Sequence, residues 1–233
     1  MPWDFWLIFV VLGVVIPWRG RVRLRRLLAL PTISTKDKIV LYGSTIAFQW
    51  ILLGAVAWRV EARGLTAAEL GLGRSISSEL LLLSFTGAAL LGAFQWFNLR
   101  RLGHMTGRVP EFMRKLAERL FPNKPVELAP FCALAVTAGV CEEFLYRGFA
   151  MAALRHAGIA TWGVVVISSV LFGLAHTYQG KNGIVGTTVM GFVFGIASLA
   201  FQSLIPVMVW HAAVDLVAGL AGPRYLLRGD RIQ

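Results

Sequence analysis

The sequence predicts an all-α polytopic transmembrane helical bundle of about seven spans, with one amphipathic cytoplasmic helix. Of its 233 residues, 57% are hydrophobic and only 15% are charged, and the mean hydropathy is +0.67. A soluble domain of this length could not bury so much apolar surface, whereas lipid solvates it. Backbone groups in hydrocarbon must bond within the protein, and the alternating pattern of membrane strands is absent, so we expect helices throughout.

Seven apolar segments define the predicted spans. They cover residues 3–18, 39–58, 79–97, 127–155, 161–176, 184–202 and 207–220. Between the third and fourth spans, residues 110–121 place apolar side chains at helical spacing among basic ones, which predicts the amphipathic helix. Gly191 and Gly195 form a GxxxG pattern that favours close helix packing. Thr66 to Glu69 has the pattern of a capping box and predicts a short surface helix.

The basic residues predict the orientation in the membrane. The net charge of +11 is carried mostly between spans, notably in Arg19–Arg26 and Arg100–Lys124 and in the C-terminal tail. The positive-inside rule predicts that these segments are cytoplasmic and that Arg19–Arg26 forms the first cytoplasmic loop. With seven crossings and a cytoplasmic tail, the N-terminus is then expected outside. We expect attraction to membrane lipid and no nucleic-acid binding. Size and short loops suggest a prokaryotic inner (cytoplasmic) membrane, and the residues do not predict an oligomeric state.

We expect a single membrane domain over residues 1–233. Its N-terminal spans and basic loop occupy residues 1–125, its core helices residues 126–222 and its basic tail residues 223–233. Internal repeats and low-complexity tracts are absent from the sequence.

Three charged residues inside the fourth span mark a functional centre, because ionisable groups at membrane depth are costly. Glu143 and Arg147 are four residues apart and share one helical face, so they are expected to pair. Glu142 is turned by about 100° from Glu143 and lacks this partner. The sequence therefore predicts that Glu142 is free for chemistry.

Two other spans carry ionisable residues. His176 ends the fifth span, and His211 and Asp215 share one face of the seventh. If they converge on Glu142, the carboxylate could act as general base on a water held by His176. His211, with Asp215, could then stabilise an oxyanion. Glu142, His176 and His211 could equally hold zinc with a bound water, and the residues leave both mechanisms open.

The motifs Glu142-Glu143-x-x-x-Arg147, Phe172-x-x-x-His176 and His211-x-x-x-Asp215 resemble those of the CAAX-protease and bacteriocin-processing (CPBP) family of intramembrane endopeptidases. The resemblance covers about residues 128–220. It implies an intramembrane peptidase whose catalytic residues are Glu142, His176 and His211. The second glutamate and the arginine of the first family motif correspond to Glu143 and Arg147. The family often has asparagine where this chain has Asp215; because an ionised carboxylate cannot donate, we expect Asp215 to orient His211.

The resemblance implies that the substrate is a leader or C-terminal segment of a membrane-associated or lipidated protein. Two other functions remain as alternatives. A proton-coupled transporter could use the same ionisable residues as a relay, although the inverted repeats and broken helices of such carriers are not evident. A non-catalytic immunity or binding protein could retain the same scaffold.

Overall fold

Helices make up most of the computed structural model, which describes residues 1–105 and 109–227. We label the helices of this described part α1 Trp3–Ala29, α2 Thr35–Ala62, α3 Ser78–Met105, α4 Glu111–Leu120, α5 Pro125–His156, α6 Thr161–Ala175, α7 Gly180–Phe201 and α8 Ile205–Leu226. Helices α1 and α5 each contain a π-helical stretch, Val11–Val15 and Phe144–Ala150 respectively. Arg108 of the basic loop and most of the predicted tail, residues 228–233, lie outside the described residues.

The predicted fold class is confirmed. Six helices of the described part are long and apolar enough to cross a membrane. The seventh apolar helix, α6, has 15 residues and is about 22 Å long at ~1.5 Å per residue, which is less than the ~30 Å of a hydrocarbon core.

The prediction that Arg19–Arg26 forms the first loop is wrong, because these residues lie in the last turns of α1. Arginine is a good helix former, and the neighbouring α2 supplies acceptors for it. The Arg23 guanidinium donates to Thr45 Oγ1 at 2.9 Å and to Leu41 O at 3.2 Å. The connection to α2 is consequently short, and a Ser34–Asp37 capping box starts that helix.

The prediction of a short surface helix at Thr66–Glu69 is also wrong, although the predicted capping hydrogen bonds form. The Thr66 backbone N–H donates to Glu69 Oε2 at 2.7 Å, and the Glu69 N–H donates to Thr66 Oγ1 at 3.3 Å. They close a turn rather than a helix, because Gly71 follows with a φ of +73° that does not continue one. The turn packs beside α5, where His156 Nε2 lies 2.6 Å from Glu69 Oε1.

Close backbone approaches bring the core helices together. A Cβ added to Gly139 of α5 would lie 2.6 Å from Met208 O of α8, so these helices meet without an intervening side chain. A Cβ on Gly191 would lie 3.2 Å from Ser169 Cα, and one on Gly195 would lie 3.0 Å from Val165 Cγ1. The GxxxG face of α7 therefore packs against α6, as its pattern predicts.

The amphipathic helix is present as α4 and is fixed to the bundle at its C-terminal end. Tyr42 of α2 donates from its hydroxyl to Leu120 O at 2.9 Å, and Lys38 Nζ donates to Phe121 O at 2.6 Å. Arg119 donates to Leu30 O at 2.9 Å. These bonds satisfy carbonyl groups that a helix end leaves unpaired, and they hold α4 across the ends of α1 and α2.

Candidate active site

Helix α5 carries the first charged pair where its geometry changes from α to π. Glu143 ends the α-helical part and Arg147 lies inside the π-helical stretch. Arg147 Nη1 donates to Glu143 Oε1 at 2.9 Å, and both side chains are fully shielded. π-Helical turns often occur at functional sites, and this one points the Glu143–Arg147 pair into the bundle.

Glu143 also contacts the histidine of α8. His211 Nδ1 lies 2.6 Å from Glu143 Oε1, the same oxygen that accepts from Arg147. Asp215 Oδ2 lies 3.7 Å from His211 Nε2, which is too long for a hydrogen bond. The orienting contact that was expected of Asp215 is therefore made by Glu143. With Nδ1–H donating to Glu143, His211 presents Nε2 to the interior.

Glu142 does have a partner, contrary to the sequence prediction. Gln49 of α2 donates from Nε2 to Glu142 Oε1 at 2.7 Å. The other oxygen, Oε2, makes no hydrogen bond within the described part of the chain and lies 3.8 Å from His176 Nε2. This gap is too long for a direct hydrogen bond but lets one small polar group contact both atoms.

The backbone of α6 orients the His176 ring. Its Nδ1 lies 2.9 Å from Phe172 O, one turn earlier, so Nδ1–H donates to this carbonyl and Nε2 is left as an acceptor towards Glu142. Both histidines therefore have Nδ1 bound to an acceptor and Nε2 directed inward, which sets the tautomer that each uses. The sequence spacing had predicted the helical faces but not these acceptors.

The Phe172 ring lies at the centre of the constellation. The guanidinium carbon of Arg147 is 4.2 Å from the ring centroid, a cation–π contact. The ring centroids of His176 and His211 are 4.6 Å and 5.7 Å from it. Phe172 thus separates the buried Glu143–Arg147 pair from His176 and restricts the rotamers of both histidines.

Glu142 and both histidines line one cavity of about 560 Å³, which also includes Asp215. This volume is in the ordinary range for ligand sites, roughly 300–1,000 Å³. The exposed fractions of the side chains are 18% for Glu142 and 12% for His176, against 40% for Asp215, so the general-base candidate lies deeper than the aspartate. The cavity continues to Leu116 and Leu120 of α4.

The Tyr146 hydroxyl is a further polar group at this cavity. The side chain is 1% exposed, and the hydroxyl makes no hydrogen bond with another described residue. The ring packs edge-on against Phe172 at 5.3 Å. No signal in the sequence distinguishes Tyr146 from a packing residue. Gln49, in contrast, could have been found as a lone amide within an apolar span.

Zinc is the other possibility that the sequence leaves open for this site. No group of three or more His, Cys, Asp or Glu side chains in residues 1–105 and 109–227 is arranged to hold a metal ion. Glu142 and His176 face each other, and His211 Nδ1 is bound to Glu143. The mechanism proposed below uses the protein side chains alone.

The fold and the site define an integral membrane protein with a buried carboxylate–imidazole centre. Residues 124–217 match the family model described as type II CAAX prenyl endopeptidase Rce1-like. This match supports the resemblance to the CPBP family of proteases that was drawn from the three motifs. The comparison with curated proteins gave no match, and the comparison with solved structures gave none.

Proposed function

We propose that the protein is an intramembrane endopeptidase in which Glu142 activates water. The observation that carries the proposal is the 3.8 Å separation of Glu142 Oε2 and His176 Nε2, which face each other in a cavity within apolar helices. A water that donates one hydrogen to each of these acceptors would be held for attack. A carboxylate and an imidazole in this arrangement are suited to general base catalysis.

The positions of the side chains support the following reaction. Glu142 Oε2 takes a proton from the water, and the water oxygen attacks the carbonyl carbon of the scissile bond. This step gives a tetrahedral intermediate. His211, when protonated at Nε2, donates to the oxyanion, and the Glu143 carboxylate on Nδ1 stabilises the imidazolium. Glu142 then passes its proton to the leaving nitrogen, and the C–N bond breaks. The products are a carboxylic acid and an amine.

The lining of the cavity supports a proposal for the class of substrate. Its walls are mostly apolar and include Leu24 and Leu27 of α1 and Leu116 of α4. Such walls suit a lipid chain or an apolar peptide segment better than a charged loop. We propose a leader or C-terminal segment of a membrane-associated or lipidated protein as substrate, which includes the prenylated class in the family's name. We further propose the prokaryotic inner membrane, with the N-terminus outside and the C-terminus in the cytoplasm.

The test compares Glu142→Gln with the wild-type protein in lipid nanodiscs. The probe is an internally quenched, farnesylated peptide that ends in a CAAX sequence, and the control is Glu61→Gln, an exposed glutamate of α2. We expect the wild type and the control to cleave the probe and Glu142→Gln to be slower by about 10²–10⁴-fold, the usual contribution of a general base.

Wild-type activity in Glu142→Gln would refute the assignment. If the wild type leaves this probe intact, new peptide termini in membranes that contain wild-type or Glu142→Gln protein test the wider substrate class. Proton-coupled flux in vesicles without any cleavage would instead support the transporter alternative.

A further inference from the structure

We infer that Gln49 is the positioning residue of the general base, and that the α2–α5 contact it makes is part of the active site. This inference rests on the proposed role of Glu142. Gln49 lies in α2, outside residues 124–217 that match the family model. Its amide reaches across to α5 and donates to Glu142 Oε1 at 2.7 Å.

The bond assigns different tasks to the two carboxylate oxygens. Oε1 accepts from Gln49, so rotation of the carboxylate would cost this hydrogen bond. Oε2 is then held towards His176 Nε2, at 3.8 Å, where the reacting water must bind. Positioning of this kind matters because displacement of a reacting group by ~1 Å can slow a reaction about 10²-fold.

The other end of the Gln49 amide supplies a second observation. Gln49 Oε1 is buried and makes no hydrogen bond with any described residue, and Gln49 itself lines the cavity beside Glu142. A buried acceptor without a partner is unfavourable, and such groups are uncommon in folded proteins. Since Nε2 must face the carboxylate, Oε1 must face away from it. It is therefore available to a backbone N–H of a substrate strand.

A neighbouring hydrogen bond between the same two helices provides a matched control. Trp50 Nε1 donates to Thr137 Oγ1 at 3.3 Å and also joins α2 to α5. Thr137 does not line the cavity. Thr137→Val keeps the shape of the side chain and removes this bond. It therefore measures what the loss of one α2–α5 hydrogen bond does to the fold alone.

The pH dependence of Gln49→Glu gives a readout that a purely structural residue would not alter. The introduced carboxyl group can donate to Glu142 only while it is protonated, and two ionised carboxylates at this distance repel each other. Activity should then require that the introduced carboxyl group and Glu142 together hold one proton. The pH optimum of cleavage should therefore be lower than in wild type. The other titratable or charged groups that line this cavity or surround Glu142 are Arg19, Arg23, Tyr42, Cys141, Glu143, Tyr146, Arg147, His176, Tyr178, His211 and Asp215, and they are unchanged in this variant.

The experiment measures kcat, KM and thermal stability of four proteins in nanodiscs with the farnesylated peptide: wild type, Gln49→Leu, Gln49→Glu and Thr137→Val. We expect kcat of Gln49→Leu to fall about 10–100-fold with KM changed less than about threefold. Thr137→Val should keep wild-type kcat, and Gln49→Glu should recover activity at acidic pH.

The inference is overturned if Gln49→Leu keeps kcat, if Thr137→Val loses as much as Gln49→Leu, or if Gln49→Glu has the wild-type pH profile. Failure of the wild type to cleave would count against the proposed function instead. The two failures are therefore distinguishable. If Gln49→Leu does not fold, the pH profile of Gln49→Glu decides alone.

Discussion

His211 Nδ1 lies 2.6 Å from Glu143 Oε1, and Arg147 Nη1 shares that oxygen at 2.9 Å. One buried carboxylate therefore neutralises the arginine of its own helix and orients the histidine of another. The first of these tasks is structural and the second concerns the reaction. Substitutions can separate the two tasks.

Glu143→Ala leaves the Arg147 guanidinium buried without its counter-ion. We expect the free energy of unfolding to fall by about 3–5 kcal/mol, as when one partner of a buried ion pair is removed. Glu143→Ala/Arg147→Met removes the stranded charge and should recover most of that stability. It should not recover activity, because His211 still lacks its acceptor. Thermal unfolding and peptide cleavage measured on both variants check this, and a fully active double variant would show that His211 needs no orientation.

Asp215 faces His211 Nε2 without a hydrogen bond, at 3.7 Å. Asp215→Asn keeps the size of the side chain and introduces a donor beside the proposed oxyanion position. We expect this variant to retain or exceed wild-type kcat, whereas Asp215→Leu should lose about tenfold, or ~1.4 kcal/mol of transition-state stabilisation. Cleavage rates of the two variants provide the measurement. A severe loss in Asp215→Asn would mean that the negative charge itself is required.

The Tyr146 hydroxyl is buried at the cavity without a partner among the described residues. Tyr146→Phe removes a polar group that costs about 1–3 kcal/mol when it is unpaired, so the variant should unfold at a higher temperature. If the hydroxyl donates to the bound substrate, kcat should fall in the same variant. We expect both effects, a gain in stability with a loss of activity. An equally active Tyr146→Phe would make this hydroxyl a packing feature only.

The turn at Glu69 should show a pH-dependent contribution to stability. Hydrogen bonds from Thr66 and from His156 lower the pKa of Glu69 from its ordinary value of 4.5 to about 2. A lowered folded-state pKa means that this stabilisation is complete above pH 4.5 and is lost as the pH falls towards 2. Glu69→Gln should therefore be less stable than wild type at neutral pH, and the difference should shrink in acid. Thermal unfolding of Glu69→Gln and wild type at neutral pH and in acid measures this difference in stability, with Glu61→Gln as the control. A difference that stays the same at the two pH values would contradict the role given to Glu69.

The sequence predicted the faces of the site residues but not their contacts between helices. The spacing of four places Glu143 with Arg147, and His211 with Asp215, because helical periodicity is a local property. The contacts of Gln49 with Glu142 and of Glu143 with His211 depend on how α2 and α8 pack on α5. That packing follows from close approaches such as Gly139 against Met208, which no local pattern encodes.

The helix ends were predicted less well than the helices. The seventh span was expected at residues 207–220, and α8 extends over Ile205–Leu226. The first span was expected to end at residue 18, and α1 continues to Ala29. Apolar composition reports the part of a helix that contacts lipid. A helix continues into polar sequence wherever propensity and hydrogen-bond partners permit, as the arginines of α1 do.

A double-variant cycle on Glu142 and His176 tests the central claim, that these two side chains act on one water. Glu142→Gln, His176→Ala and the combined variant are compared with wild type in kcat/KM on the farnesylated peptide. Residues that act as a unit give strongly non-additive losses. We predict that the combined variant loses no more than the worse single variant. Losses that multiply would show that Glu142 and His176 act independently and would contradict the account.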